Sequence, residues 1–239
     1  MLRYMSAELQ KMKRTFSVKL LWIAPLMPLL CAFSGGQFSS FYFWYAAFLP
    51  GALTIICSMV MLKDTKMKYR GVFSLPVDKG ATWMGKVMAC GVMVLITCII
   101  FLLAVSVFGF IPIYKLYNLS VIQMLTASVL LFIALLWQIP FCLFLSAKFG
   151  IFLTIILNIA GNIICGAAFA GGEMWLVPYA IPTRLMGPVL HILPNGLKPE
   201  TGSPILNSGV ILPGVLVSLA LFVAISMLTM AWFRRQEAK

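Results

Sequence analysis

The sequence predicts an all-α membrane protein with six transmembrane helices, preceded by an amphipathic interfacial helix at the N-terminus. Hydrophobic residues make up 62% of the 239 residues and charged residues only 10%, and the mean hydropathy is +1.02. A soluble domain with so little charge could not cover its surface with polar side chains. Several apolar runs reach the roughly 20 residues that a helix needs to cross a bilayer. We therefore expect a single transmembrane domain over residues 1–239.

The distribution of basic residues predicts how the spans are oriented. The chain has 18 Lys and Arg against 6 Asp and Glu, which gives a net charge of +12. With the spans placed as below, all the basic residues except Lys115, Arg184 and Lys198 fall on one side of the membrane. Short loops rich in Lys and Arg stay in the cytoplasm, so both termini are predicted to be cytoplasmic. Basic residues collected on one side of a membrane indicate contact with membrane lipids and not with nucleic acid.

The first 19 residues are predicted to form a helix that lies in the membrane interface. Apolar residues recur every three or four positions from Leu2 to Leu20, while Glu8 and Lys11 lie off this stripe. A helix with an apolar stripe and a basic remainder is typical of the headgroup region. A signal peptide is the alternative, but the charged region is long and no A-x-A cleavage site follows. We expect the segment to remain in the mature protein.

The six spans correspond to the apolar runs that follow. The first is short and contains Pro25 and Pro28, which should kink its helix because proline has no backbone donor. The second begins with an aromatic cluster, which is typical of a membrane interface. The predicted spans are residues 18–34, 42–62, 87–108, 121–145, 151–170 and 210–233.

Residues 63–86, between the second and third spans, are predicted to form a cytoplasmic loop. Within it, Gly80 to Val87 nearly matches the phosphate-binding pattern GxxxxGK[ST]. Val87 lacks the hydroxyl that would bind magnesium, and no strand precedes the glycines, so we do not expect a nucleotide site. If the protein takes energy from a cytosolic partner, this loop is the expected point of contact. The loop is a charged segment between two apolar runs. Its charged residues are Lys63, Asp64, Lys66, Lys68, Arg70, Asp78, Lys79 and Lys86.

The region between the fifth and sixth spans, residues 171–209, is predicted to lie on the outer side. It contains six of the 13 prolines, so no long helix can run through it, yet it is too apolar for a free loop. We expect short broken helices that pack on the helix ends or enter the outer leaflet as a re-entrant segment. His191, the only histidine, is interpreted as an interfacial polar residue and not as a ligand.

Polar residues inside the spans are few. Gln138, Asn158 and Asn162 could line a substrate path, but interhelical hydrogen bonds worth about 1 kcal/mol each are the favoured interpretation. The small residues of 165–172 would allow close helix packing, for example at a subunit interface. No Asp, Glu, Arg or His falls near the middle of a span. An ion-coupled carrier or an intramembrane enzyme usually needs such groups, so we expect neither, and the energy must come from a partner.

The overall plan resembles the ABC-2-type permeases, and most closely the bacterial lantibiotic self-immunity permeases of the LanE and LanG type. The resemblance covers essentially the whole chain as a pattern of six spans, a basic N-terminal helix and a charged loop between spans two and three. The residues that carry it are Glu8, Lys11, Lys13, Arg14 and Thr15, residues 66–71, Trp83, Gly85 and Lys86, and Trp175, Pro182, Arg184, Pro188 and residues 194–196.

This resemblance implies a permease subunit of an ATP-driven exporter in the bacterial plasma membrane. Two six-span permeases, copies or paralogues, would sit on a dimer of cytosolic ABC ATPases, which would hold the ATP and magnesium, and the chain itself would hold no cofactor. The substrate would be a lantibiotic-like antimicrobial peptide. Other possibilities are a permease for a lipid or drug, and a non-transport scaffold or sensor partner. The implied ATPase-coupling residues are Glu8, Lys11, Asp64, Lys66, Lys68, Tyr69, Arg70 and Phe73.

A second group of residues follows from the same comparison and from the polar positions above. These are the candidates for the path or exit of the substrate. We expect them to be Gln138, Asn158, Asn162, Glu173, Trp175 and Arg184. No metal ligand is predicted, because the six cysteines all lie within apolar runs and no CxxC pair occurs.

Overall fold

The computed structural model describes residues 1–13, 15–31, 36–66, 78–109, 119–200 and 202–236. Helices dominate this part of the chain, and none of these residues is in a strand. The α-helices are α1 (Leu2–Met12), α2 (Phe16–Cys31), α3 (Gly36–Phe43), α4 (Leu49–Lys66), α5 (Lys79–Phe108), α6 (Val121–Leu135), α7 (Gln138–Phe149), α8 (Ile151–Phe169), α9 (Ile181–Leu190) and α10 (Ile211–Arg234). A π-helical stretch, Trp44–Phe48, joins α3 to α4, and two 3₁₀ turns, Pro204–Leu206 and Ser208–Val210, precede α10.

Four helical stretches in the described ranges are long and apolar enough to cross a membrane. They are Gly36–Thr65, Lys79–Phe108, Ile151–Phe169 and Ser208–Arg234. Two bent pairs, α1 with α2 at 82° and α6 with α7 at 43°, raise the number to six if each pair is one span. The all-α prediction is confirmed as an all-helical protein with four to six candidate spans, and the six-span arrangement itself stays a prediction.

The bend between α6 and α7 has a cause in the sequence. Pro140 lies in the first turn of α7 and cannot donate a backbone hydrogen bond, and its ring would clash with the carbonyl of Leu136 four residues earlier. The helix accordingly breaks at Leu136 and Trp137. The predicted fourth span, residues 121–145, is therefore two helices, and the second of them continues to Phe149.

Other boundaries differ from the predicted ones in the charged regions. The stretch 1–19 is not one helix, because α1 ends at Met12 and α2 begins at Phe16. The loop 63–86 is also shorter than expected, since α4 continues to Lys66 and α5 begins at Lys79. Asp78 starts α5 by accepting a 2.9 Å hydrogen bond from the Gly80 backbone N–H, which is a favourable N-cap. Helices can therefore continue past the apolar runs from which the spans were predicted.

The 30-residue helix α5 is the centre of the bundle and contacts α1, α2, α4, α6 and α10. Near its end, Phe101 stacks on Trp44 at 4.4 Å between ring centroids. Near its start, the Trp83 indole N–H donates to Thr229 Oγ1 at 3.1 Å. Since Thr229 is near the end of α10, the two helices are antiparallel. We call the end of the bundle at the start of α5 the Lys86 end, and the opposite end the Arg184 end.

The helices differ in how much of their surface the bundle buries. In the most apolar stretch of Gly36–Thr65, 67% of the residues are buried inside the bundle. The corresponding share is 22% in α8 and in the span that contains α10. Large apolar side chains on these two helices point outward, for example Phe152, which is 85% exposed, and Leu228, which is 70% exposed. Such surfaces are stable only against lipid or another membrane chain. The α8 and α10 faces are thus the outside of the bundle.

Candidate functional site

A buried ionic cluster lies at the Lys86 end, where α1, α4 and α5 meet. Lys86 lies in the second turn of α5 and is 0% exposed. Its ammonium group is 3.0 Å from Glu8 Oε2 on α1 and also forms an ion pair with Asp64 Oδ2 on α4. A lone cation in such an interior would cost several kcal/mol, so burial of Lys86 requires both carboxylates. This ionic cluster therefore holds three helices in a fixed arrangement.

Two further contacts attach α1 to the same place. Lys11 Nζ lies 2.7 Å from the other carboxylate oxygen of Glu8, and Lys63 Nζ donates to the Lys11 carbonyl oxygen. The helices also approach closely, because a Cβ atom added to Gly85 would lie 2.7 Å from Tyr4 Cβ. Only glycine fits at that position without a shift of α1. The amphipathic helix is thus packed on α5 as well as paired with it.

The contacts of Gly85 and Lys86 give a structural role to the stretch that resembles a phosphate-binding loop. Gly80, Gly85 and Lys86 all lie within the continuous helix α5. A phosphate loop needs backbone N–H groups that are free to contact the phosphate, whereas those of Gly85 and Lys86 fall inside the helix. In this structure Gly85 makes room for α1 and Lys86 neutralises two buried carboxylates.

The structure brings together three of the predicted coupling residues, namely Glu8, Lys11 and Asp64. Glu8 and Asp64 are buried and their carboxylates face Lys86, so neither presents its charge to a partner in this arrangement. Lys66 is the last residue of α4. The other four, Lys68, Tyr69, Arg70 and Phe73, lie outside the described residues. Sequence reasoning placed Lys86 in the cytoplasmic loop and missed its burial, because a lysine directly before an apolar run gives no local signal of the carboxylates that other helices bring to it.

A second polar cluster lies deeper in the bundle and joins α4, α7 and α8. Asn158 donates to Thr54 Oγ1 at 2.8 Å and to Gln138 Oε1 at 2.9 Å. Gln138 in turn donates to Asn162 Oδ1 at 3.0 Å, and Asn162 donates to the Asn158 carbonyl oxygen at 2.7 Å. Tyr179 completes this amide cluster by donating to Asn158 Oδ1 at 3.1 Å.

The amide cluster satisfies its own hydrogen bonds, which bears on its function. Each of the three amides both donates and accepts within the cluster, and Thr54, Gln138, Asn158 and Asn162 are all buried. Burial raises the pKa of the Tyr179 hydroxyl, which keeps it protonated and able to donate at neutral pH. Side chains that are fully bonded to one another fasten helices and leave few groups to offer a passing solute. The geometry therefore favours the packing interpretation over a substrate path.

Sequence reasoning found the three amides but missed Thr54 and Tyr179. Thr54 lies in an apolar run, and its hydroxyl could equally have bonded to its own helix, as it also does with Pro50 O at 2.7 Å. Tyr179 comes from the turn segment after α8, and it fits because Gly161 opposite has no side chain: a Cβ there would be 3.1 Å from the tyrosine ring. A tyrosine and a glycine 18 positions apart give no local signal of such a contact.

The remaining path candidates lie apart from the amide cluster. Glu173 is exposed and Trp175 is half-buried in the turns that follow α8. Arg184 lies in α9, where it is buried and donates from Nη2 to the Pro204 carbonyl oxygen at 3.0 Å. The segment 171–209 therefore contains a ten-residue helix packed on the bundle, between stretches of turn. These three residues do not form a common site.

Within the described residues, no group of three or more His, Cys, Asp or Glu side chains is placed to hold a metal ion. Compared with protein-family models, with curated proteins and with solved structures, the chain matches none. The features that bear on its function are the two clusters, the distribution of charge and the exposed apolar helices.

Proposed function

We propose that this chain is the membrane permease subunit of an ATP-driven exporter that removes a lantibiotic-like antimicrobial peptide from the bacterial plasma membrane. It pairs with a second permease, copy or paralogue, and with a dimer of cytosolic ABC ATPases that bind ATP and magnesium. Both termini and the segment 67–77 face the cytoplasm, and the Arg184 end faces outward. ATP hydrolysis belongs to the partner and not to this chain.

The observation that carries the proposal is the ionic cluster beside the segment 67–77. Asp64 precedes this segment by one turn of α4, and Lys86 follows it in α5, so the cluster joins the two helices that enter and leave it. Glu8 adds α1 to the same point. A force applied to the segment by a partner would move the three helices together, because separating them would expose unpaired charges in an apolar interior. A permease that takes its energy from a partner ATPase needs such a rigid link between the segment that the partner contacts and the transmembrane helices.

The charge at the two ends supports the orientation. The described basic side chains at the Lys86 end include Lys11, Lys63, Lys79 and Arg234, and α7 adds Lys148 near Trp232, since Phe144 on α7 packs on that tryptophan at 4.9 Å. At the Arg184 end the described chain has Arg184 and Lys198. An excess of Lys and Arg marks the cytoplasmic side.

The closed amide cluster and the exposed apolar faces bear on the substrate. The closed amide cluster leaves few of its own polar groups for a solute, whereas α8 and α10 present wide apolar surfaces. This arrangement favours a substrate that moves from the lipid along the outside of the bundle or between two subunits. An amphipathic peptide or a lipid fits this description. The choice of a peptide rests on the resemblance, and a lipid or drug exporter is the second candidate.

Purification from the native membrane in mild detergent tests the class of protein. We expect a cytosolic ATPase in stoichiometric amount, with or without a second permease. Recovery of the chain alone from an intact preparation would remove the transport proposal and favour a scaffold or sensor partner. Peptide-stimulated ATP hydrolysis by the complex in vesicles then separates a peptide exporter from a lipid or drug exporter.

Charge reversal tests the coupling. In the purified complex, we expect Arg70→Glu to abolish stimulation of ATP hydrolysis by substrate while the chain and its ATPase still assemble. Arg235→Glu is the matched control, because Arg235 is exposed just after α10, and it should leave stimulation unchanged. Asp64 is unsuitable for this test, since its reversal would place a second cation against buried Lys86. Unchanged coupling in Arg70→Glu would refute a role for this segment.

A further inference from the structure

A groove of about 330 Å³ opens on the side of the bundle, along the half of α5 nearest the Lys86 end. Its floor is one face of α5, because the residues follow at steps of three and four: Met84, Met88, Gly91 and Leu95. The walls come from α1, α6, α7 and α10 and include Met5, Phe132, Ile139 and Phe222. All the residues that line the groove are apolar. It is therefore a recess in the surface that faces hydrocarbon.

Gly91 keeps the middle of the groove open. A Cβ built on Gly91 would meet nothing closer than Ile139 Cδ1, at 3.9 Å, and Gly91 is only half-buried. A larger side chain at this position would extend into the groove. Met84 and Met88 lie on either side of its lower half, and methionine side chains are flexible enough to fit the shape of a flexible ligand.

The length and the depth of the groove match one leaflet of a bilayer. From Met84 to Leu95, α5 rises by about 16 Å at roughly 1.5 Å per residue, and one leaflet contributes about 15 Å of hydrocarbon. Trp83, next to Met84, lies 6.0 Å from Trp232 between ring centroids, and tryptophans collect where hydrocarbon meets the headgroups. The groove thus extends from the membrane interface at the Lys86 end to the middle of the bilayer.

A cation lies where the headgroup of a lipid in the groove would be. Gly80 precedes Met84 by one turn of α5, on the side of the headgroups. The Arg234 guanidinium lies against Gly80, since a Cβ there would be 2.8 Å from Arg234 Cζ. Arg234 is exposed, and no carboxylate of the described ranges forms an ion pair with it. Its planar fork of donors matches the oxygens of a phosphate group.

We propose that this groove binds one acyl chain of an anionic phospholipid from the leaflet at the Lys86 end, with the lipid phosphate bonded to Arg234. A chain in the groove touches protein on several sides and gains dispersion contacts that a chain on a smooth surface lacks. A transmembrane helix of a second copy would continue through both leaflets, whereas the groove ends at Leu95 and Phe132. The lipid site is independent of the transport proposal, since neither a substrate nor an ATPase enters it.

Native mass spectrometry of the purified chain in detergent tests the groove, with phosphatidylglycerol and phosphatidylcholine of identical acyl chains as probes. We expect the wild type to retain both lipids and to prefer phosphatidylglycerol. Gly91→Leu places a side chain where the acyl chain lies and should lower the retention of both lipids severalfold. Arg234→Gln leaves the groove open and should reduce only the preference for phosphatidylglycerol. We expect a reduction of about fivefold, which is the contribution of one basic residue near an anionic lipid surface.

Each variant has a matched control. Ala220→Leu adds a similar side chain to the exposed face of α10 outside the groove, and it should retain both lipids as the wild type does. Lys148→Gln removes an exposed positive charge at the Lys86 end and should keep the preference for phosphatidylglycerol. An equal loss in either control would show general contact with lipid or general charge attraction, and it would overturn the proposal.

The remaining outcomes are also decisive. Unchanged retention in Gly91→Leu, or an unchanged preference in Arg234→Gln, would overturn the proposal. The same spectra report the oligomeric state, so a dimer that Gly91→Leu converts to a monomer at unchanged lipid retention would assign the groove to a second copy instead. Should Gly91→Leu fail to fold, the thermal stability of the wild type decides. Phosphatidylglycerol should raise it more than phosphatidylcholine or inorganic phosphate does, and equal stabilisation by either would overturn the proposal.

Discussion

Removal of the Lys86 ammonium should destabilise the protein more than most single substitutions. In Lys86→Met the side chain keeps its length and its apolar contacts, but Asp64 loses the only ion-pair partner found for it in the described ranges. Glu8 keeps Lys11 at 2.7 Å, so one carboxylate is left unpaired and the other is partly compensated. Breaking a buried pair from one side costs about 3–5 kcal/mol. We expect a loss of this size in the free energy of unfolding.

The measurement is reversible unfolding in mixed micelles, followed by circular dichroism. Lys148→Met is the matched control, because Lys148 is exposed and its ammonium group lies only near the Phe144 and Phe149 rings, 5.9 and 5.3 Å from their centroids; it should change the free energy by no more than about 1 kcal/mol. The triple variant Glu8→Gln, Asp64→Asn, Lys86→Met removes all three charges and should recover much of the loss. A loss below about 1 kcal/mol in Lys86→Met, or no recovery in the triple variant, would refute the reasoning.

Two further predictions concern close packing and the amide cluster. Gly85→Ala should cost about 1–3 kcal/mol in the free energy of unfolding, because the new methyl group would lie 2.7 Å from Tyr4 Cβ and push α1 off α5. Asn158→Ala should cost about 1–2 kcal/mol in the same measurement, since Thr54 and Gln138 each lose a donor inside the bundle.

Each of these two variants has a control in the same helix. Gly91→Ala in α5 should be neutral or slightly stabilising, because its Cβ would meet nothing closer than 3.9 Å and alanine favours a helix. If Gly91→Ala costs as much as Gly85→Ala, the contact with α1 is not the cause. Ile156→Ala in α8 changes an outward side chain and should cost less than Asn158→Ala. The reverse order would argue against a stabilising amide cluster.

Local patterns explain why much of the fold was predictable. A run of apolar residues is long enough to span a bilayer or it is not, and this property does not depend on what the helix packs against. The errors lie where polar sequence continues a helix, as from Lys79 to Lys86, or where a proline divides a run, as at Pro140. A hydropathy pattern detects neither feature, because the continuation or interruption of a helix depends on backbone hydrogen bonds and not on the polarity of the side chains.

The candidate sites were less predictable, and the reason is distance along the chain. The amides on α7 and α8 were found because they are conspicuous in apolar sequence, and their four-residue spacing placed two of them on one face. Their bonding to Thr54, 104 residues from Asn158, was beyond any local pattern. Their interpretation as packing residues also needed the geometry, since only the bonds themselves show that the cluster is closed.

The sequence by itself determined that this is a helical membrane protein and that most of its basic residues lie at one end, because composition and charge act on each segment separately. Only the tertiary structure decided that Lys86 is buried between Glu8 and Asp64, and that Arg184 is buried with no carboxylate partner in the described ranges. A lysine before an apolar run and an arginine in a proline-rich segment read alike as surface cations. What separates them is the charge that other helices bring within 3–4 Å, and at that range in a low-dielectric interior electrostatic energy outweighs local preference.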